Sequence, residues 1–213
     1  MHQARTSSST PVQTVLFDWG GVIIENPVEG ILNHVRQHIP GIAPDAFEGN
    51  AMVAFQKGEL EELEFWHRAG APTSMSLESF GGSLWRQAFE HSYEERPEVL
   101  HIAQILQQNG IRTAVLSNTE KPSVAMLMDR GYTCFDTYCF SCDWGMVKPE
   151  HRIYERCLQT LKVDEASSVL FIDDKSENIA AAQALGIRGH VMTTIAGLNG
   201  CLRGHELPCL PGL

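Results

Sequence analysis

The sequence predicts an α/β fold: a Rossmann-like, mostly parallel sheet with helices on both faces, and an α-helical cap inserted after the first strand. Two observations carry that reading. Short β-type apolar runs alternate with helical stretches from about residue 95 to residue 192, and the block from Pro27 to Glu94 shows helical periodicity without a convincing strand.

Residues 1–11, polar and rich in Ser and Thr, read as a flexible tail. Val12 to Phe17 is a buried strand that stops at Asp18-Trp19-Gly20-Gly21, which leaves a carboxylate at its C-terminal end. In the helical block Ile31, Leu32, Val35 and Ile39 recur at helix spacing, as do Met52, Phe55, Leu60, Leu63, Phe65, Trp66, Phe80, Leu84, Trp85 and Phe89. A helix from Glu98 to Asn109 ends at Gly110, a residue suited to a left-handed terminus, and a strand follows from Ile111 to Leu116. Ser117-Asn118-Thr119 caps that strand and can start a helix near Ser123 to Arg130. Strands near Thr137–Ser141, Ser168–Ile172 and Ile187–Met192 then alternate with helices at Pro149–Leu161 and Glu177–Leu185. The expected division is 12–26 with 95–213 for the core and 27–94 for the cap. The Gly- and Pro-bearing stretch from Gly197 to Gly212 reads as irregular.

Composition excludes several classes. A hydrophobic fraction of 43% and a charged fraction of 20% are ordinary for a globular chain and do not suit disordered, fibrous or membrane proteins. The formal charge of −10 disfavours a broad nucleic-acid footprint, which needs clustered Lys and Arg. There is no membrane-length apolar run and no signal-peptide core in Met1 to Gln13, so a cytoplasmic location is expected. The six cysteines are expected to be reduced thiols, with Cys139 and Cys142 read as small buried hydrophobes beside a strand.

In open α/β sheets ligands bind beyond the carboxyl ends of the strands. Four such ends carry chemistry here: Asp18 with Gly20, Ser117 with Asn118, Lys148, and Asp173 with Asp174. The motifs are Val-Leu-Phe-Asp-Trp-Gly-Gly-Val-Ile at 15–23, Val-Leu-Ser-Asn-Thr at 115–119, Gly-Met-Val-Lys-Pro-Glu at 145–150 and Phe-Ile-Asp-Asp-Lys-Ser-Glu-Asn at 171–178. In this order and spacing they resemble the haloacid dehalogenase (HAD) superfamily over nearly the whole chain. The subgroup they resemble most has a helical cap after the first strand and includes bacterial sugar-phosphate phosphatases acting on glucose 1-phosphate.

The resemblance implies a phosphohydrolase in which Asp18 is both nucleophile and magnesium ligand. Asp174, with Asp173 beside or behind it, completes the carboxylates, and the Gly20 carbonyl adds an uncharged oxygen. The physical logic agrees, because an aspartate can attack a phosphoryl anion only if a cation neutralises their repulsion, and magnesium prefers hard oxygen ligands. Ser117 and the turn amides near Trp19 and Asn118 are expected to hydrogen-bond the phosphate oxygens. Lys148, held extended by Pro149, is expected to hold the phosphate and keep Asp18 ionised. The expected partner is a small phosphorylated metabolite.

One position departs from the family. Most of its phosphatases carry a second aspartate two residues after the nucleophile, as general acid and base, and this chain has Gly20. Three explanations follow: a phosphatase whose missing acid is replaced by water, a cap residue or an anomeric leaving group; a dehalogenase or phosphonatase on the same scaffold, the latter requiring Lys57 as Schiff-base lysine; and a member that binds phosphate without turnover. Gln-Lys-Gly-Glu-Leu around Lys57 also reads as a helix-ending turn. Trp19 either walls the pocket or packs beneath the cap. His34, His38, His67 and His91 read as surface or internally satisfied groups, since none has metal-ligand spacing.

Overall fold

The computed structural model describes residues 10–43 and 45–211. Its sheet contains β1 (Thr14–Phe17), β2 (Arg112–Ser117), β3 (Thr137–Phe140), β4 (Val169–Asp173) and β5 (Arg188–Val191). The strand order is β3-β2-β1-β4-β5, and every neighbouring pair is parallel. Strands buried on both faces need continuous apolar runs, and Val15-Leu16-Phe17 and Val169-Leu170-Phe171-Ile172 supply them at the centre.

Between β1 and β2 lie α1 (Val28–His38), α2 (Asn50–Gln56), α3 (Glu62–Arg68), α4 (Leu84–His91) and α5 (Pro97–Gln108). The later crossovers and the C-terminal end use α6 (Lys121–Arg130), α7 (Ser141–Trp144), α8 (His151–Thr160), α9 (Ser176–Ala184) and α10 (Ile195–Gly204). The pleat sorts the strand residues between two layers. Val15, Phe17, Val115, Leu170 and Ile172 join a cluster with Ile102 of α5, Met126 of α6 and Leu198 of α10, whereas Leu16, Leu116 and Phe171 meet Ile153 and Tyr154 of α8 and Ile179 of α9.

The helical block from α1 to α4 continues the first of these clusters rather than building a separate one. Its centre is aromatic: Phe55 stacks on Phe65 at 4.7 Å, and Trp85 meets the Phe55 ring edge-on at 5.2 Å. The buried Glu62 carboxylate there is satisfied, accepting from Trp66 Nε1 at 2.9 Å, Ser83 Oγ at 2.5 Å and Trp85 N at 2.7 Å.

The C-terminal stretch expected to be irregular is a helix, α10, from Ile195 to Gly204. Glycine weakens a helix by about 1 kcal/mol relative to alanine. Here Thr194 caps the first turn by accepting from Gly197 N at 3.0 Å, and Leu198 and Leu202, one turn apart, are fully buried. Asn199 then pins Leu210 through both main-chain polar groups, at 3.3 and 3.1 Å. Of the expected tail, residues 1–9 lie outside those described, and the Thr10 carbonyl accepts from Arg188 Nη2 at 2.5 Å. Cys139 and Cys142 are free, buried thiols, as expected of small hydrophobes. Among the described residues no helix is long and apolar enough to cross a membrane.

Candidate active site

β1 is the central strand, and the chain leaves it in a tight turn: the amides of Ile23 and Ile24 bond back to the Trp19 carbonyl at 2.9 and 3.1 Å. Gly21 in that turn has φ +83°, and a Cβ there would collide with the Asp174 carboxylate, so glycine lets the turn close against the β4 end. Asp18, 7% exposed, thereby faces the groups that follow β2 and β4.

Lys148 is the hub of the cluster. Its ammonium donates to Leu116 O at 3.0 Å and lies 2.7 Å from Asp18 Oδ1 and 2.7 Å from Asp173 Oδ2, so all its protons have partners. Asn118 fixes the Lys148 backbone in both directions, its Nδ2 donating to Lys148 O at 2.9 Å and its Oδ1 accepting from Lys148 N at 2.8 Å. The peptide between Lys148 and Pro149 is cis.

The two carboxylates after β4 differ in kind. Asp173 is fully buried and accepts from Lys148 Nζ, from Lys175 N at 2.8 Å and, with both oxygens, from Asn178 Nδ2 at 2.9 and 3.0 Å. Asp174 is half-buried and its buried Oδ1 has no hydrogen-bond partner. Ligand oxygens of Asp18, Asp173 and Asp174 lie within 4.8 Å of one another, a donor set that suits a hard divalent cation. With Asp173 already saturated by the protein, Asp174 and Asp18 have the capacity to serve as ligands.

Charge here is strongly perturbed. Burial pushes Asp18 up to about 7, against the pull of Lys148 and with a further push from Asp173. For Lys148, burial alone would favour the neutral amine, but Asp18 and Asp173 more than offset it and the pKa rises. Burial, with repulsion from Asp173, also raises Asp174.

Above this cluster opens a cavity of about 250 Å³. Its floor contains Asp18, Gly20, Ser117, Asn118, Lys148 and Asp174. Its opposite wall is supplied by the helical block and is largely apolar, with Val28, Ile31, Phe47, Met52, Val53 and Phe89. Ser117 Oγ has only a long 3.5 Å contact to Asn118 O and is available to a ligand.

The structure thus brings together Asp18, Trp19, Gly20, Ser117, Asn118, Lys148 and Asp174 at one cavity, with Asp173 behind them. The structure refines three of the sequence readings. The Trp19 ring is packed edge-on against Tyr132 at 5.4 Å rather than standing free in the pocket, and its main-chain N–H is taken by Asp18 Oδ1 at 2.7 Å. The Asn118 side chain is a clamp on Lys148, which leaves only its backbone for a ligand. Lys57 sits in the expected helix-ending turn, paired with Glu150 at 2.6 Å and outside the cavity lining.

The histidines of the helical block also stay outside that lining. His38 and His91 are exposed, while His34 and His67 are half-buried with an unpartnered Nε2 each, so the expectation of satisfied groups fails for those two. Asn178 and Glu120 went unassigned in the sequence. Asn178 has a signal in hindsight, since it follows the Asp173-Asp174 pair in the first turn of α9 and so faces the β4 end.

Comparison with known proteins agrees with this geometry. The chain is 30% identical over 196 residues to acyl-CoA dehydrogenase family member 10 of Mus musculus, covering 85% of this chain but only 18% of the mouse protein's length. It is 26% identical over 194 residues to the sesquiterpene phosphatase astK of Aspergillus oryzae, covering 88% of this chain and 93% of that protein. Its fold matches a HAD family enzyme of Bacteroides thetaiotaomicron, solved with magnesium and inorganic phosphate, with a TM-score of 0.69 and 19% identity over 85% of this chain and 94% of that one. A haloacid dehalogenase-like hydrolase family model matches residues 12–186, from the strand that carries Asp18 to the end of the helix after Asp174, and the chain therefore belongs to that hydrolase family.

Proposed function

We propose that this chain is a magnesium-dependent phosphohydrolase that cleaves a small phosphate monoester through a transient aspartyl-phosphate on Asp18. The observation that carries the reading is the buried Lys148–Asp18 pair, 2.7 Å apart at the cavity floor, with the unpartnered Asp174 Oδ1 beside it. Asp18, Asp174 and the Gly20 carbonyl would hold the ion, and the saturated Asp173 would hold Lys148 instead of the metal. When bound, a divalent cation offsets the repulsion between the carboxylate and the phosphoryl anion.

The chain's own groups then divide the work. A carboxylate oxygen of Asp18 attacks phosphorus, the bond to the leaving oxygen breaks, and water later cleaves the acyl phosphate. Ser117 Oγ would donate to an equatorial oxygen, and the Lys148 ammonium, whose protons go to Leu116 O, Asp18 and Asp173, would act through its positive field on the charge that spreads there in phosphoryl transfer. The magnesium and phosphate bound by the Bacteroides enzyme support this assignment.

Two alternatives find less support. A phosphonatase needs a free lysine in the pocket, and Lys57 is engaged by Glu150 outside it. A metal-free dehalogenase has no use for the unpartnered Asp174 carboxylate.

Resemblance favoured a sugar phosphate, yet the wall opposite the phosphate site favours a leaving group with an apolar body. A sugar's hydroxyls need several polar partners, and the helical block offers few, only Gln56 and the Trp85 indole beside Val28, Ile31, Phe47, Met52, Val53 and Phe89. The sesquiterpene phosphatase relative fits that second reading. The test is a panel of para-nitrophenyl phosphate, glucose 1-phosphate, phosphonoacetaldehyde and a terpenyl phosphate, with magnesium and with chelator. We expect magnesium-dependent release of phosphate, fastest per molar substrate from the terpenyl ester; release unaffected by chelator would refute the metal assignment.

A further inference from the structure

Gly20 leaves the leaving oxygen without the usual acid, and packing is not the cause. A Cβ on Gly20 would meet only Pro27 Cδ, at an ordinary 3.6 Å. A departing alkoxide still requires a proton. The ionisable side chains lining the cavity are Asp18, Glu120, Lys148, Asp174 and Lys175. Asp18, Lys148 and Asp174 form the phosphate end and Lys175 is exposed, which leaves Glu120.

Glu120 stands two residues beyond Asn118, at the cap of α6, where the phosphate end meets the helical wall. It is 4% exposed. Ser123 Oγ donates to its Oε2 at 3.2 Å and itself accepts from Trp85 Nε1 of α4 at 2.8 Å, and Gln56 at the end of α2 lines the same cavity as Trp85 and Glu120. It forms no ion pair among the described residues. The neighbouring Lys121 turns instead to Glu61 at 3.3 Å, and the Cys142 thiol of α7, pushed up to about 12 chiefly by burial, stays protonated. Burial accordingly lifts Glu120 to about 7, against the opposing pull of the polar groups on Gln56, Ser123 and Trp85.

We propose that Glu120 is the general acid and base of this cavity, in the role for which Gly20 offers no side chain. As Asp18 bonds to phosphorus, the electron pair of the breaking P–O bond passes to the leaving oxygen, which takes the Glu120 proton and departs as an alcohol. In the second half a water oxygen bonds to phosphorus, its proton goes to the Glu120 carboxylate, and Asp18 is released as a carboxylate. This role rests on the phosphohydrolase reading above.

A comparison of leaving groups tests it. Wild type, Glu120→Gln and Glu120→Asp are assayed with magnesium on para-nitrophenyl phosphate, whose leaving group needs no proton, and on a primary alkyl phosphate, whose leaving group does. For Glu120→Gln we expect kcat/KM on the alkyl ester to fall by about 10²-fold or more, with a far smaller change on the aryl ester. The wild-type decline in alkyl-ester turnover above about pH 7 should vanish in Glu120→Gln and persist in Glu120→Asp. An equal loss on both esters, or none on either, would overturn the acid role while leaving the phosphohydrolase reading intact. Failure of the wild type on both esters would overturn that reading and the role of Glu120 with it.

Discussion

Lys148 Nζ lies 2.7 Å from Asp18 Oδ1, an ion pair whose two side chains are only 2% and 10% exposed. An enclosed pair of this kind is a poor source of stability, because desolvation consumes most of the Coulombic gain. What it offers is position: a carboxylate and a cation fixed side by side at the cavity floor before substrate arrives.

Removing Lys148 should therefore expose the cost it now offsets. Lys148→Met leaves Asp18 and the saturated Asp173 facing each other in a buried site. We expect a loss of roughly 3–5 kcal/mol in urea unfolding without metal. We also expect loss of detectable inorganic-phosphate binding by calorimetry. A variant as stable as wild type would mean that the buried charges are already neutralised in another way.

Asp174→Ala should separate metal binding from folding. Because Asp174 sits in a cluster of like charge and its pKa is raised by burial and by Asp173, its removal should not destabilise the metal-free protein. Magnesium should raise the unfolding temperature of the wild type by linkage and leave that of the variant unchanged. Equal magnesium shifts in both would place the ion elsewhere.

The Glu120 carboxyl also gives a pH signature in stability. Its pKa is about 7 in the folded protein against an ordinary 4.5, so the folded state holds the proton more tightly than the unfolded one. The stability this contributes is full below about pH 4.5, declines as the unfolded chain ionises, and is gone above about 7. Glu120→Gln, which cannot ionise, should lose that slope. Relative to wild type it should gain up to about 3 kcal/mol between pH 4.5 and pH 8 in denaturant titrations. A pH-independent difference would mean that Glu120 is ionised throughout.

Much of this was legible in the sequence, for identifiable reasons. Val15-Leu16-Phe17 and Val169 to Ile172 announce strands buried on both faces, and residues at strand ends must then face one edge of the sheet, which brought Asp18, Ser117 and Asp174 together, while Lys148, separated from β3 by α7, is held among them by Asn118. Division of labour within a motif was not legible. Asp173 and Asp174 are identical in chemistry, and only the position of Asn178 and Lys148 shows that the first is saturated and the second open. Asn118 and Trp19 were read as sources of turn amides, and because spacing does not report side-chain direction, it did not show that the Asn118 side chain clamps Lys148 or that the Trp19 ring packs on Tyr132. The glycines of α10 concealed a helix because Leu198, Leu202 and the Thr194 cap outweigh their propensity. Nothing in the sequence separates Glu120 from any polar residue that opens a helix, because its walls come from α2 and α4, distant in the chain.

The central claim is that Asp18 carries the phosphoryl group, and acid-quenched turnover followed by borohydride reduction tests it most directly. An acyl phosphate at Asp18 would be reduced to homoserine, found by peptide mass mapping at position 18 only when phosphate ester and magnesium are both present. Phosphate release at the normal rate with unmodified aspartate at that position, or from an Asp18→Asn protein, would contradict the account.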